Sequence, residues 1–197
     1  MESGTSPDSS AKMDYTAIVK HALTAAPTLQ KEEELVLIAK IVHQLLPKTI
    51  VELGVFRGGS LHVWMMMAHE EARAVGVDVP GEHSEEAVRN LTAWCPPKQK
   101  FLHLTSNTQN PESATKALAF LQGPIDYLCI DASHDYKSVR TDFNLWSPYV
   151  RKGGIINVND TYFSEDPKIG VWKLWKELKA KYRCEDFPAG SGLIYVE

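Results

Sequence analysis

Two rhythms of apolar and polar residues alternate along this chain. From residue 49 onward, short β-branched apolar runs give way again and again to longer segments whose apolar residues recur every three or four positions. The runs TIVELGV (49–55), AVGVDV (74–79), KFLHLT (100–105), IDYLCIDA (125–132) and GGIINVND (153–160) predict strands. The segments between them, 60–72, 83–94, 111–122, 136–150 and 169–182, predict helices. Leu61, Trp64, Met65 and Ala68 share one helical face, as do Tyr136, Val139, Phe143 and Trp146. Ser60 and Ser84 stand where helix caps are wanted, and Gly123 closes the helix before it. Ahead of this array, Tyr15, Ile18, Val19 and Ala22 form a helical stripe over 14–25 that Pro27 interrupts. A second helix spans about 30–46, with Leu35, Ile38 and Val42 at helical spacing and Glu32, Glu33 and Glu34 in its first turn, where carboxylates suit the helix dipole. Pro47 ends it.

Repeated strand–helix alternation is the pattern of an α/β domain, a mostly parallel sheet with helices on both faces. The runs at 125 and 153 are nearly continuous in apolar residues, as strands covered on both sides should be. Two further strands, near 183–187 and 192–197, are joined by a link containing PAGSG, a hairpin distance that makes at least one strand antiparallel. The expected architecture is a seven-stranded sheet with one antiparallel strand in a single domain over 13–197, its N-terminal helices occupying 13–46. Residues 1–12 are polar and rich in small side chains, and read as a disordered tail.

Composition narrows the functional classes. A chain of 197 residues suits one domain with a full core. The net charge of -4 offers no basic footprint for nucleic acid and disfavours an anionic membrane surface. No apolar run approaches a membrane span, and no signal-peptide pattern opens the chain, so a cytoplasmic setting is expected. Cys95, Cys129 and Cys184 are widely spaced without a CxxC pair, which argues against zinc. Cys129, inside YLCI, reads as a buried small hydrophobe.

Ligands of open α/β sheets bind beyond the carboxyl ends of the strands, which directs attention to a few loops. The first strand runs into Glu52-Leu53-Gly54-Val55-Phe56-Arg57-Gly58-Gly59-Ser60, the second into Asp78, and the third into Ser106 and Asn107. The fourth ends at Asp131, Ser133, His134 and Asp135, and the fifth at Asn159, Asp160 and Thr161. The glycines of the first loop allow a sharp turn and close approach to a ligand, or serve an ordinary strand-to-helix turn. Asp78 can accept two hydrogen bonds from a ribose diol or cap a helix. The spacing GxGxxG is missing, and an acid and an arginine occupy the loop. A sulfonium carrying an amino-acid tail suits that setting better than a pyrophosphate, which wants backbone N–H groups at a glycine turn.

The segments VELGVFRGGS, GVDV and IDYLCIDASHDYKSVRTDFNLWSPYVRKGGIINVNDT together resemble class I S-adenosylmethionine-dependent methyltransferases. The likeness covers roughly residues 30–197 and is greatest toward the small-molecule O-methyltransferase branch, with macrolide-sugar methyltransferases and cephalosporin hydroxylase-like proteins. The resemblance implies a Rossmann-like fold with S-adenosylmethionine as cofactor. It places Glu52, Gly54, Gly58 and Ser60 along the methionine part, together with Phe56 and Arg57 of the same loop and Asp131 across from it. It puts Asp78 at the ribose and Ser106 and Asn107 at the adenine. It also implies a magnesium or calcium ion on Asp131, Asn159 and Asp160.

Methyl transfer from a sulfonium is an in-line displacement, so acceptor and methyl must be held close and the acceptor oxygen made nucleophilic. A cation on Asp131 and Asp160 could lower the hydroxyl pKa, with His134 taking the proton. Each of these residues also has a structural reading: Asp131 and Asp160 as helix caps, His134 as a donor to a backbone carbonyl. Arg140 and Asp142 read as a structural ion pair. Trp64, Met65–Met67, Trp172 and Trp175 read as core, while Tyr162, Phe163 and 164–168 read as a lid over the acceptor. The expected acceptor is a small hydroxylated molecule, in a pocket left open or completed by a homo-oligomer. Three rivals stand beside this reading. One is a nicotinamide-dependent oxidoreductase, opposed by the missing GxGxxG. The others are a hydroxylase-associated protein and a cofactor-binding relative without catalysis. Thr105, where many relatives carry an acid, and Asn159 favour the last.

Overall fold

The computed structural model describes residues 13–28 and 30–197; the expected tail over 1–12 lies outside them. Helices α1 (Tyr15–Ala25) and α2 (Glu32–Leu45) precede the alternating array. The array comprises β1 (Thr49–Leu53), α3 (Gly59–Met67), β2 (Arg73–Asp78), α4 (Glu82–Trp94), β3 (Lys100–Thr105), α5 (Pro111–Leu121) and β4 (Ile125–Ile130). It continues through α6 (Tyr136–Trp146), β5 (Val150–Val158), α7 (Val171–Lys179), β6 (Arg183–Asp186) and β7 (Gly192–Tyr195). The seven strands form one sheet in the order β3-β2-β1-β4-β5-β7-β6. All pairings from β3 across to β5 are parallel, and β7 lies antiparallel to both its neighbours. The strand order reverses between β1 and β4, and a crevice opens above that point.

Alternate side chains along each strand feed two cores. Val51 and Leu53 of β1, Leu128 and Ile130 of β4, and Ile156 and Val158 of β5 pack with α5, α6 and α7. Ile50, Ala74, Tyr127, Cys129 and Ile155 face the opposite layer of α1, α2 and α3. Cys129 is fully buried there, as its apolar context predicts.

Several local expectations change once the chain is packed. Helix α3 ends at Met67 rather than near 72, and apart from Met66 it is buried along its whole length, Ser60 and His62 included. It has no single core face because α1 and α2 cover the side turned away from the sheet. Ser60 and Ser84 cap nothing: the caps are Gly58 and Gly81, while Ser84 Oγ bonds His103 Nε2 at 2.7 Å. Gln122 takes the left-handed conformation expected of Gly123, with φ of 61°. Helix α6 stops at Trp146, since Ser147–Tyr149, with Pro148 inside, forms a 3₁₀ turn, and β5 begins at Val150. Arg140 and Asp142 do not pair. Arg140 donates to Tyr136 Oη at 2.8 Å, and Asp142 is completely buried with neither carboxylate oxygen bonded to a partner among the described residues.

Candidate active site

A cleft of about 970 Å3 lies across the carboxyl ends of β1, β2, β4 and β5, a size suited to a cofactor with room beside it. Its first wall is the turn after β1. Gly54 has φ of 82°, and a Cβ there would come within 2.1 Å of the Asp131 carbonyl oxygen. A glycine is therefore required where β1 and β4 leave the sheet side by side. The sequence suggested close approach to a ligand; the close approach found is to the protein's own backbone. Asp78 at the end of β2 orders the same turn. Its Oδ2 accepts from the N–H groups of Val55 and Phe56 at 2.9 and 2.8 Å, and its Oδ1 from Val79 N–H at 2.8 Å. Oδ2 is thereby filled, while Oδ1 keeps acceptor capacity for one ligand hydroxyl.

Glu52 is fully buried between β1 and α3, and Ser60 Oγ donates to its Oε1 at 2.5 Å. Burial drives its carboxyl well above the ordinary range, partly opposed by the Ser60 hydrogen bond and reinforced by the charges of Asp131 and Asp78. Ser60 lines the cleft while Glu52 sits behind it. Phe56, with φ of 50°, forms part of the rim and lies 4.4 Å from the His83 ring. Arg57 turns to Glu86 at 3.2 Å. Asn107 lines the cleft and accepts Gln109 N–H at 2.8 Å, whereas Ser106 Oγ accepts from Ser113 Oγ at 2.8 Å. Glu52, Arg57, Gly58 and Ser106 thus stand outside the cleft wall, and Gly54, Phe56, Ser60, Asp78, Asn107 and Asp131 stand in it.

The opposite end of the cleft carries a cluster of titratable groups. Asp131 follows β4, His134 comes three residues later, and Asp160 follows β5 with φ of 59°. One potential ligand atom from each lies within 4.8 Å of the others. His134 Nε2 is 3.2 Å from Asp160 Oδ2 and 3.8 Å from Asp131 Oδ1. The nearby Asp131 carboxylate, joined by the charge of Asp160 and opposed by burial, raises the imidazole pKa. Burial likewise raises that of Asp160, against the His134 charge. Neither acid caps a helix: α6 is capped by Asp135, whose side chain accepts from Ser138 N–H at 3.0 Å, and α7 starts only at Val171. Asn159 lines the cleft beside this cluster, and its Oδ1 accepts from Ser191 Oγ at 2.7 Å.

Two segments reach this site that local patterning did not single out. Gln30 donates to Asp131 Oδ2 at 2.8 Å. Buried Glu34 accepts from the backbone N–H groups of Ala189 and Ser191, the latter at 2.9 Å, and so fastens the β6–β7 turn onto the cleft. Both follow from chain direction: α2 must deliver the chain to the amino end of β1, so its own start lies at the carboxyl edge. The β6–β7 turn lies there because β6 runs parallel to β5, both being antiparallel to β7. Tyr162 also lines the cleft, laid against Gly190, whereas Phe163 packs on Trp172 at 5.0 Å over a separate shallow groove.

A cleft at the switch point of a β3-β2-β1-β4-β5-β7-β6 sheet, with an acid closing β2, defines a Rossmann-like fold of the methyltransferase type. Residues 51–161 match the family described as methyltransferase domain, and this chain belongs to that family. It is similar to the demethylmacrocin O-methyltransferase of Streptomyces fradiae, 30% identical over 114 residues, which are 57% of this chain and 25% of that protein. The chain spans 17%, 51% and 25% of the lengths of three curated relatives it matches. Its fold is similar to that of an O-methyltransferase from Bacillus cereus in complex with SAH, with a TM-score of 0.65 and 16% identity over 96% of this chain and 94% of that one. It is also similar to the MycE methyltransferase of the mycinamycin biosynthetic pathway in complex with Mg and SAH. There the TM-score is 0.67 with 14% identity over 93% of this chain and 55% of that one. Among the described residues, no helix is long and apolar enough to cross a membrane.

Proposed function

We propose that this chain binds S-adenosylmethionine in the cleft and transfers its methyl group to a hydroxyl of a small molecule. The observation that carries this reading is the arrangement of the cleft, with Asp78 and the β1 turn at one end and Asp131, His134 and Asp160 at the other. Asp78 Oδ1 would accept from a ribose hydroxyl, the β1 turn would hold the methionine part, and Asn107 would stand at the adenine. Glu52, Gly58 and Arg57 would act from behind the wall by shaping the turn, and Ser106 by anchoring the loop after β3. The acceptor hydroxyl would lie at the cluster, beside Tyr162 and Ile169. In the transfer the S–CH3 bond breaks as the O–CH3 bond forms, and the hydroxyl proton goes to His134 Nε2. Asp160 and Asp131 flank that nitrogen and stabilise its positive charge.

The donor set also fits a divalent cation. Two carboxylates converge beside the imidazole, and oxygen ligands favour magnesium or calcium. Asp131 and Asp160 would hold the ion, and Asn159 Oδ1 keeps a lone pair beyond its Ser191 hydrogen bond. Such an ion supplies Lewis acidity that lowers the pKa of a coordinated hydroxyl. A homo-oligomer that closes the acceptor side is compatible with this reading, which does not require one.

Calorimetric titration of S-adenosylmethionine and S-adenosylhomocysteine, with and without magnesium, tests the proposal. Micromolar binding of either is the expected result. Absence of binding under every condition would overturn the methyltransferase reading.

A further inference from the structure

Asp131 stands at the point where cofactor and acceptor would meet, so the orientation of its carboxylate matters. Gln30 approaches from the lead-in to α2, 101 positions away in sequence, and its Nε2 donates to Asp131 Oδ2 at 2.8 Å. The other oxygen, Oδ1, is the one on the His134 side, 3.8 Å from Nε2. We propose that Gln30 is a positioning residue of the active site, holding Asp131 by Oδ2 so that Oδ1 is presented to His134 and Asp160. This rests on the reading of that cluster as the reacting end of the cleft.

Three observations carry it. Gln30 itself lines the cleft, and its neighbours Lys31 and Glu34 line it too, so the start of α2 is a wall of the site. Glu34 secures that wall from the other side: it binds the Ala189–Ser191 backbone, and Ser191 Oγ bonds Asn159, the residue before Asp160. The start of α2 is therefore tied to the ends of both β4 and β5, the strands that carry the two acids. The Gln30 amide is also poorly served as a structural element. Its Oε1 is buried without a protein donor among the described residues, an arrangement that does little for folding stability. Side chains that satisfy a functional group at the expense of their own second polar atom are expected where a site outweighs local stability. An unrestrained carboxylate could turn about its side-chain bonds and offer either oxygen, or neither, to the cluster.

The test compares the full chain as wild type with Gln30→Met, which keeps the length of the side chain and removes both polar atoms, and with Gln30→Ala. Crystal structures of wild type and Gln30→Met show the Asp131 orientation directly. Titration with Mn2+ followed by electron paramagnetic resonance measures cation affinity, and calorimetry with S-adenosylhomocysteine measures the cofactor side separately. The proposal expects Asp131 to leave its wild-type rotamer in Gln30→Met. It also expects Mn2+ affinity to fall about tenfold in both variants, with thermal midpoints close to wild type. Asp131 unmoved in the Gln30→Met crystal, with Mn2+ affinity within twofold of wild type, would overturn it. Failure of wild type to bind S-adenosylhomocysteine would count against the methyltransferase reading alone. The crystallographic comparison would still decide the role of Gln30.

Discussion

Strand β4 has an aspartate at each end, and the two are treated in opposite ways. At the amino end, Asp126 has three donors, one of them a guanidinium. Its Oδ2 accepts from the N–H groups of Lys48 and Thr49 at 2.6 and 3.0 Å, and its Oδ1 from Arg151 Nε. Burial opposes the charge, but the Arg151 hydrogen bond and the two backbone donors outweigh it and hold the carboxyl below its ordinary range. At the carboxyl end, Asp131 has one neutral donor, Gln30, and faces a second acid across His134. The first aspartate joins β1, β4 and β5 where the chain enters the sheet. The second is left with acceptor capacity for something that is not protein. Asp126 meets a cation and two backbone donors, a setting that serves stability, whereas Asp131 meets one neutral donor and keeps acceptor capacity.

The largest expected effect breaks this contrast at the carboxyl end. Asp131→Ala should lower methyl transfer by about 10²–10³-fold, the scale seen when one preorganised polar group is removed from a reacting centre. The thermal midpoint should stay near wild type. Turnover within about fivefold of wild type would remove Asp131 from the chemistry. At the amino end the outcome should reverse. Asp126→Ala leaves Arg151 and two N–H groups without their acceptor and should cost about 3 kcal/mol of stability in denaturant unfolding. Binding of S-adenosylhomocysteine should be unchanged once the protein is folded. The depressed pKa sets the sign of the pH dependence. The contribution of Asp126 is complete above the carboxylate's unfolded value and is lost as pH falls through the lower folded one, so the cost of the substitution should shrink in acid.

A third acid sharpens the comparison with a smaller effect. Asp142 on α6 is fully buried with neither carboxylate oxygen hydrogen-bonded among the described residues, and burial pushes its pKa up to about 6, partly opposed by the nearby Thr108. Here the sign runs the other way. Stability is greatest while the carboxyl is protonated in both states, below its unfolded value, and falls as pH rises toward about 6. Asp142→Asn should therefore gain about 2 kcal/mol relative to wild type between pH 4 and pH 8. A difference between the two proteins that does not change with pH would show that Asp142 ionises freely.

The fold was legible because the alternation of apolar runs with helical stripes leaves few arrangements for a chain of this length. Strand positions follow from runs such as IDYLCI and GGIINV, which only a doubly covered strand can bury. The errors came where a neighbour outweighed a local signal. Ser60 and Ser84 carry the chemistry of caps, yet Glu52 and His103 lie within reach and bond them instead. Arg140 and Asp142, two positions apart on a helix, point to different faces, which rules out the pair suggested by their charges.

The same division runs through the site. Loops that follow β1 to β5 in sequence could be named from the chain alone, because parallel connectivity brings the carboxyl ends of those strands to one edge. Asp78, Asp131, His134 and Asp160, all of which line the cleft, could be placed at that edge in this way. Gln30, Glu34 and the Ala189–Ser191 turn were not, since no local pattern marks them and their roles depend on contacts spanning 101 to 157 positions. The sequence by itself determined the order of elements, the handed α/β layering and the acids at the strand ends, because these depend on burial and on the right-handed crossover. Only the tertiary structure decided which oxygen of Asp131 is free, which serine is bonded and which acid is paired. Hydrogen bonds reach about 3 Å, and only the folded chain brings groups so far apart in sequence to that distance.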